Sequence, residues 1–296
     1  MSDHKEAKSF SRFGYIMVAA GAAIGLGNIW RFPYLAAKYG GGIFLFIYIL
    51  LALTFGYTMI VAESALGRMT RKSPVGAFRS FAKGKKVGWL SFGGWINAII
   101  PVLIVPYYSV IGGWVVKYLF EYIRGNGNKL AEDGYFSGFI SNGGATEICF
   151  VIFCMFTLVI IYAGVQNGIE RVSKIMMPIL IILSVIIAIY SVTRPGAIEG
   201  VKYFLVPNVK NFSWMTVVAA MGQMFYSLSI AMGILVTFGS YMRKDTSIED
   251  STRNVEIFDT AIAMMAGLMI IPAVFAFSGG DPDTLQAGPA LMFITI

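Results

Sequence analysis

Seven long apolar stretches, separated by short polar segments, constrain this chain more than any other feature of its sequence. They cover roughly residues 13–37, 42–67, 88–122, 147–164, 169–192, 214–240 and 255–278. A helix needs about 20 apolar residues to cross the hydrocarbon of a bilayer, and none of the stretches alternates with the period of two that marks a barrel strand. The sequence therefore predicts an all-α membrane protein embedded in the lipid bilayer.

The composition supports a membrane location and argues against nucleic-acid binding. Hydrophobic residues make up 57% of the 296 residues and charged residues only 13%, too little charge to cover the surface of a soluble domain. The net charge of +7 is concentrated between the apolar stretches, and every second polar segment is basic. This pattern predicts a multi-pass protein of the cell membrane with a cytoplasmic N-terminus.

The first and the sixth stretches are interrupted by small or polar residues. In the first, Gly21, Gly25 and Gly27 are followed by Asn28 and Arg31 at membrane depth, and in the sixth the segment GQMFYSLSIAMG breaks an apolar run. Backbone that leaves a helix inside a bilayer must line a cavity or be buried in protein. Close helix packing would explain the glycines, but it does not explain Asn28 and Arg31.

Interrupted helices at positions one and six predict two inverted repeats of five spans each. The first repeat would cover residues 13–192, and an incomplete second repeat would cover 214–296. At such a break, free N–H groups attract a carboxylate and free carbonyls can hold a cation. Asn28 adds an amide oxygen that suits a hard cation such as sodium.

These segments resemble the neurotransmitter:sodium symporter family. The resemblance is carried by GAAIGLGNIWRFPYLAAKYGGGIF (Gly21–Phe44), by Gly222–Gly233, by the pair Tyr107 and Tyr108, and by Glu63 followed by Gly67 and Arg68. It covers essentially the whole chain and implies the inverted-repeat sodium symporter fold with broken helices one and six. About seven of the eleven or twelve spans would be present, as in a chain truncated at its C-terminal end. The resemblance also implies a transporter and not an enzyme, and it allows a homodimer.

The resemblance assigns binding roles mainly to the two broken helices and to the third and seventh spans. The substrate is expected at Ala23, Leu26, Gly27, Ile104, Tyr108, Tyr226, Ser227, Ser229 and Met232. A first sodium ion is expected at Ala23, Asn28, Ser227 and Asp259. A second sodium ion is expected at Gly21 and Ile24, with further ligands from a span beyond the chain, and Arg31 would be the extracellular gate.

Two positions indicate the class of substrate. Family members that transport biogenic amines carry an aspartate where this chain has Gly25, and glycine leaves room for a substrate with its own carboxylate. Met232 stands where many members have phenylalanine, and methionine can repack around a larger side chain. We therefore expect sodium-coupled symport of a neutral, large hydrophobic or aromatic amino acid by alternating access.

Asp259 suggests how the charge of the site is balanced. It aligns with an asparagine that usually ligates the first sodium, and Ala263 aligns with a serine that helps to bind chloride in chloride-dependent members. A fixed carboxylate could replace the negative charge of chloride, which predicts chloride-independent transport. The alternative is a carboxylate that faces water near the cytoplasmic end of the span.

Two other functions stay open from the sequence. A transporter-like amino-acid sensor would bind the substrate without moving it. A truncated fragment would not transport, because the resemblance places part of the second sodium site and the partner of Arg31 beyond residue 296. An enzyme is not indicated, since the sequence has no nucleophile–base pair, metal-ligand cluster or phosphate-binding loop.

Overall fold

The computed structural model is mainly helical over the residues that it describes, which are 17–18, 21, 25, 27–81, 89–130, 132, 134–278 and 293. Within these ranges, five helices are long and apolar enough to cross a membrane. They are Gly42–Thr70, Ser91–Ile123, Gly143–Tyr162, Asn167–Val192 and Ile248–Ala276. The predicted all-α fold class is confirmed.

The α-helices are numbered here in chain order. They are α1 Phe32–Lys38, α2 Gly42–Leu51, α3 Tyr57–Thr70, α4 Pro74–Phe81, α5 Leu90–Ile123, α6 Gly127–Leu130, α7 Tyr135–Ser141, α8 Gly143–Tyr162, α9 Arg171–Val192, α10 Ala197–Leu205, α11 Trp214–Ser227, α12 Ile234–Tyr241 and α13 Ile248–Ser278. Wider π-helical turns lie at Gly27–Arg31 before α1, at Ala52–Gly56 between α2 and α3, and at Val165–Glu170 before α9. Such turns occur frequently at functional sites.

The sixth apolar stretch folds into two short helices joined by the non-helical segment 228–233. Helix α11 begins with a capping box, in which Ser213 and Thr216 each accept a hydrogen bond from the other's backbone N–H at 3.2 Å. In the joining segment, Ser229 and Ala231 have φ angles of 55° and 62°, a left-handed conformation that a Cβ makes unfavourable. The predicted break in this stretch is confirmed.

The first apolar stretch also departs from a regular α-helix. Residues 17–18 are helical, Gly25 lies at a bend, and the π-helical turn Gly27–Arg31 leads into α1. Pro33 stands in the first turn of α1, where its missing N–H leaves no helical hydrogen bond unmade. The predicted site residues Ala23, Ile24 and Leu26 lie outside the described residues.

Helix α13 starts at Ile248, earlier than the apolar stretch predicted at 255–278. Glu249 and Asp250 lie in its first turn, where the helix dipole favours negative side chains. A polar turn thus extends the helix beyond its apolar pattern. Helix α13 packs against α9 and α10 and carries Asp259.

A cluster of aromatic rings fills the region where α1, α2 and α10 meet. The ring of Phe32 packs edge-on against Phe44, Tyr48 and Phe204, with centroid distances of 5.7, 5.0 and 6.3 Å. All four side chains are completely buried. This packing fixes the ring of Tyr48, whose hydroxyl reaches Asp259 on α13.

Helices α3 and α12 pack so closely that both need glycine at the contact. A Cβ at Gly67 would collide with the carbonyl of Val236, and a Cβ at Gly239 would collide with the carbonyl of Ser64. Contacts through small residues are a common mode of helix association in membranes. We therefore expect the two helices to behave as one rigid unit beside segment 228–233.

Candidate functional site

A cavity of about 220 Å³ lies between the two broken stretches and α5. Its lining residues are Gly21, Gly25, Gly27, Asn28, Pro101, Ile104, Val105, Tyr108, Tyr226, Ser227, Ser229, Met232 and Ile234. All the predicted substrate residues that the structure describes are therefore brought together around one space. Gly21, one of the two residues predicted to bind the second sodium ion, also lines the cavity.

Three lining residues were not singled out from the sequence, namely Pro101, Val105 and Ile234. Pro101 and Val105 lie on α5 with Ile104 and Tyr108, at spacings of three and four residues that place all of them on one helix face. Pro101 and Val105 could therefore have been predicted from their helical spacing relative to Ile104 and Tyr108. Ile234 is the first residue of α12, so only the exact end of the break places it at the cavity.

The ring of Tyr226 closes one side of the cavity. Its hydroxyl donates a hydrogen bond of 2.9 Å to the hydroxyl of Tyr108. The guanidinium of Arg31 lies 4.7 Å from the centroid of the same ring, within the range of a cation–π interaction. A Cβ on Gly27 would come within 2.7 Å of this ring, so glycine is needed for the close approach.

A buried polar cluster, formed by Asn28, Tyr48, Ser227 and Asp259, adjoins the cavity; it is called the Asp259 cluster below. Oδ1 of Asp259 accepts hydrogen bonds from Nδ2 of Asn28 and Oγ of Ser227, both at 2.7 Å, and Oδ2 accepts one from Tyr48 at 2.9 Å. Each of the four residues is at most 1% exposed. The alternative that Asp259 faces water is therefore wrong.

The Asp259 cluster offers oxygen atoms of the kind that hard cations prefer. Besides the carboxylate, Oδ1 of Asn28 and Oγ of Ser227 lie 3.1 Å apart. Asn28 and Ser227 also line the cavity, so they connect the cluster with the space beside it. The neighbouring backbone is fixed by Gln223, which is fully buried and donates from Nε2 to the carbonyl of Gly27 at 2.9 Å.

Glu63 on α3 supports the broken segment 228–233 without lining the cavity. Its Oε1 accepts a hydrogen bond of 2.7 Å from the N–H of Ala231, one of the two residues with a left-handed φ. The carboxylate thereby satisfies a backbone donor that the helix break has freed. This contact stabilises the break and does not bring Glu63 to the cavity.

Comparisons with known proteins link the whole chain to sodium-dependent transporters. The model of the sodium:neurotransmitter symporter family matches residues 7–128 and 135–295. An uncharacterized sodium-dependent transporter of Bacillus subtilis (strain 168), YhdH, is 36% identical over 299 residues, which cover 100% of this chain and 65% of that protein. The human sodium- and chloride-dependent GABA transporter 2 is 27% identical over 335 residues, which cover 96% of this chain and 54% of that protein. The chain thus spans less than two thirds of the length of either relative.

The fold is similar to that of a solved transporter structure, the crystal structure of MhsT in complex with L-phenylalanine. The TM-score is 0.87 and the sequence identity 38%, over 98% of this chain and 65% of the MhsT chain. Together with the break at 228–233, this match confirms the inverted-repeat sodium symporter fold with broken helices one and six, of which the chain covers a part.

Proposed function

Because this chain belongs to the sodium:neurotransmitter symporter family, we propose that it takes part in sodium-coupled symport of a neutral amino acid by alternating access. One observation carries the proposal: Asn28 and Ser227 belong both to the cavity wall and to the Asp259 cluster. A sodium ion at these oxygens and a substrate in the cavity would be neighbours. Binding of the cation would then favour binding of a substrate carboxylate, and binding of the carboxylate would favour binding of the cation. This is the coupling that symport requires.

The polar end of the substrate would lie at the break of the first helix. Tyr108 accepts a hydrogen bond from Tyr226, so its own proton is available to a substrate carboxylate. The amides of Leu26 and Gly27, which the family resemblance matches to ligands of the substrate carboxylate, would join this hydroxyl. The substrate ammonium would then meet carbonyl groups of Ala23, Tyr226 and Ser227.

The apolar end of the cavity supports a large hydrophobic or aromatic side chain. Ile104, Val105 and Met232 are among its lining residues, and methionine adapts to irregular shapes. A volume of about 220 Å³ lies below the range of pockets for drug-sized ligands and suits a single amino acid. Gly25 adds no carboxylate that would favour an amine, and MhsT, which is 38% identical, was crystallised with L-phenylalanine.

The Asp259 cluster supports transport without chloride. The buried carboxylate of Asp259 supplies a fixed negative charge beside the proposed sodium position. Tyr48 and Ser227, which the family resemblance matches to positions that bind chloride in chloride-dependent members, donate to this carboxylate. Ala263, at the position of the usual serine, is completely buried and has no hydroxyl.

The membrane topology is part of the same proposal. Basic residues in alternate polar segments support a cytoplasmic N-terminus, and α13 would then begin at the cytoplasmic surface. The first repeat would cover residues 13–192, and the second would begin at 214 with the broken sixth span.

Uptake into proteoliposomes tests the proposed function. The protein should be expressed from its own gene, so that any sequence beyond residue 296 is included. An inward sodium gradient should drive accumulation of a large neutral amino acid from a labelled panel, and replacing sodium with choline should abolish it. Replacing chloride with gluconate should have no effect. Accumulation that ignores sodium would contradict symport, whereas accumulation that needs chloride would contradict only the role given to Asp259.

A further inference from the structure

A second buried carboxylate, Glu256, lies three residues before Asp259 on α13. Glu256 is only 3% exposed, and its Oε1 has no hydrogen-bond partner among the residues that the structure describes. A buried carboxylate in its ionised form is strongly unfavourable unless a positive charge neutralises it; otherwise the group takes up a proton. None of the roles assigned so far uses this group.

The basic side chains near the start of α13 do not neutralise Glu256 within the described part of the chain. Three of them are engaged in ion pairs, Arg253–Asp250 at 3.2 Å, Arg243–Asp245 at 2.8 Å and Lys174–Glu170 at 2.7 Å, and Lys244 is exposed. Arg68, on the neighbouring α3, donates to the carbonyl of Thr246. Within the described residues, Glu256 therefore has no basic partner, and a proton or a cation from solution must neutralise it.

Glu256 belongs to a buried polar face of α13 that leads to Asp259. Thr252, Glu256 and Asp259 are spaced by four and three residues, which places them on the same helix face. All three are buried, with exposed fractions of 1%, 3% and 0%. Ionisable residues buried within membrane spans generally mark ion pathways.

We propose that Glu256 binds a monovalent cation of its own, one helical turn from the Asp259 cluster and nearer the N-terminal end of α13. The inference rests on the proposed sodium role of Asp259 and adds a position that the predicted sites do not contain. When both carboxylates are ionised, a sodium ion at Asp259 leaves the charge of Glu256 uncompensated, and a cation beside Glu256 would neutralise it. The carboxylate of Glu256 and the hydroxyl of Thr252 are oxygen ligands suited to sodium. The cation position at Glu256 lies on the path between the Asp259 cluster and the membrane surface where α13 begins.

Equilibrium binding of ²²Na⁺ tests the inference. The purified protein, including any sequence beyond residue 296, is compared with Glu256→Gln, which keeps the shape and removes the charge. Glu249→Gln, in the exposed first turn of the same helix, is the matched control. At saturating sodium, Glu256→Gln should bind about one ion fewer per chain, because the uncharged amide no longer needs compensation. Glu249→Gln should bind as many ions as the parent.

A second variant keeps the test decisive if Glu256→Gln does not fold. Glu256→Asp retains the charge but withdraws it by one methylene, so the same number of ions should bind, with about tenfold weaker affinity at one of them. Unchanged ion number in Glu256→Gln, or unchanged affinity in Glu256→Asp, overturns the inference. Asp259→Asn, measured in parallel, separates the two claims. If Asp259→Asn weakens sodium binding and the Glu256 variants do not, only the inference fails; if Asp259→Asn has no effect, the proposed sodium role of Asp259 fails.

Discussion

Replacing Asp259 with asparagine removes one charge from the Asp259 cluster and hardly changes the size of the side chain. In the parent protein, Oδ1 accepts hydrogen bonds from Asn28 and Ser227 and Oδ2 accepts one from Tyr48. An asparagine can keep its oxygen towards Asn28 and Ser227 and donate from its amide to the oxygen of Tyr48. We therefore expect Asp259→Asn to fold.

The main effect of Asp259→Asn should be weaker binding of the sodium ion. Removing one partner of a buried ion pair costs about 3–5 kcal/mol, because the remaining charge is left without compensation. Asparagine still offers an oxygen ligand, so the lower value applies, and about 3 kcal/mol corresponds to roughly a 100-fold loss of affinity. The sodium concentration for half-maximal binding should rise by this factor.

The assay is a sodium titration of amino-acid binding to the purified protein, with choline replacing sodium at constant ionic strength. Asp245→Asn is the matched control, because the side chain of Asp245 is 66% exposed and pairs with Arg243 at the surface. Its titration should match that of the parent. In the Asp259→Asn background, Ala263→Ser should restore sodium binding in chloride buffer but not in gluconate, since it replaces the missing hydroxyl of a chloride site.

Two results would refute this reasoning. One is a titration of Asp259→Asn that agrees with the parent within about twofold, since a 100-fold effect is expected. The other is a parent protein that loses sodium-dependent binding in gluconate, because a fixed carboxylate would then not be the balancing charge.

Three further substitutions probe the surrounding structure. Tyr108→Phe removes the acceptor of the hydrogen bond from Tyr226 and the proposed carboxylate ligand, so amino-acid affinity in a competition assay should fall about tenfold; unchanged affinity would place Tyr108 outside the binding site. Glu63→Ala leaves the N–H of Ala231 unpaired and should destabilise the protein by about 1–3 kcal/mol. Glu63→Gln keeps an acceptor, so its melting temperature should be near that of the parent. Equal melting temperatures for the two variants would contradict this. Gly67→Ala forces α3 and α12 apart and should destabilise the protein by about 1–3 kcal/mol in detergent melting, and a parent-like melting temperature would argue against the close contact.

The sixth span shows how far a sequence can predict a broken helix. Polar residues such as Gln223 and Ser227 in an apolar run located the interruption, and the structure breaks at 228–233. The left-handed backbone of Ser229 and Ala231 was not predictable, because neither residue is glycine. At Ala231 the backbone N–H is bound by Glu63, which approaches from another helix, and such a contact leaves no local pattern in the sequence.

The buried carboxylates of α13 show a second limit. Asp259 could be assigned because the family resemblance covers it, although its hydrogen bond with Tyr48 joins distant parts of the chain. Glu256 was missed because the apolar pattern starts at residue 255, which made it look like a boundary residue. The helix begins at Ile248, so Glu256 lies about two turns inside it and is buried.

The Asp259 cluster also has a consequence for the order in which the protein is made. Asp259 is 231 residues from Asn28 and 211 from Tyr48 along the chain. At synthesis rates of about 5–20 residues per second, the first span leaves the ribosome roughly 10–45 seconds before Asp259 does. During that interval, the amide of Asn28 and the hydroxyl of Tyr48 are at the translocon or in lipid. The carboxylate of Asp259, which accepts their hydrogen bonds in the complete structure, has not yet been synthesised. The residues that would bind the ion are thus among the last to come into contact during synthesis.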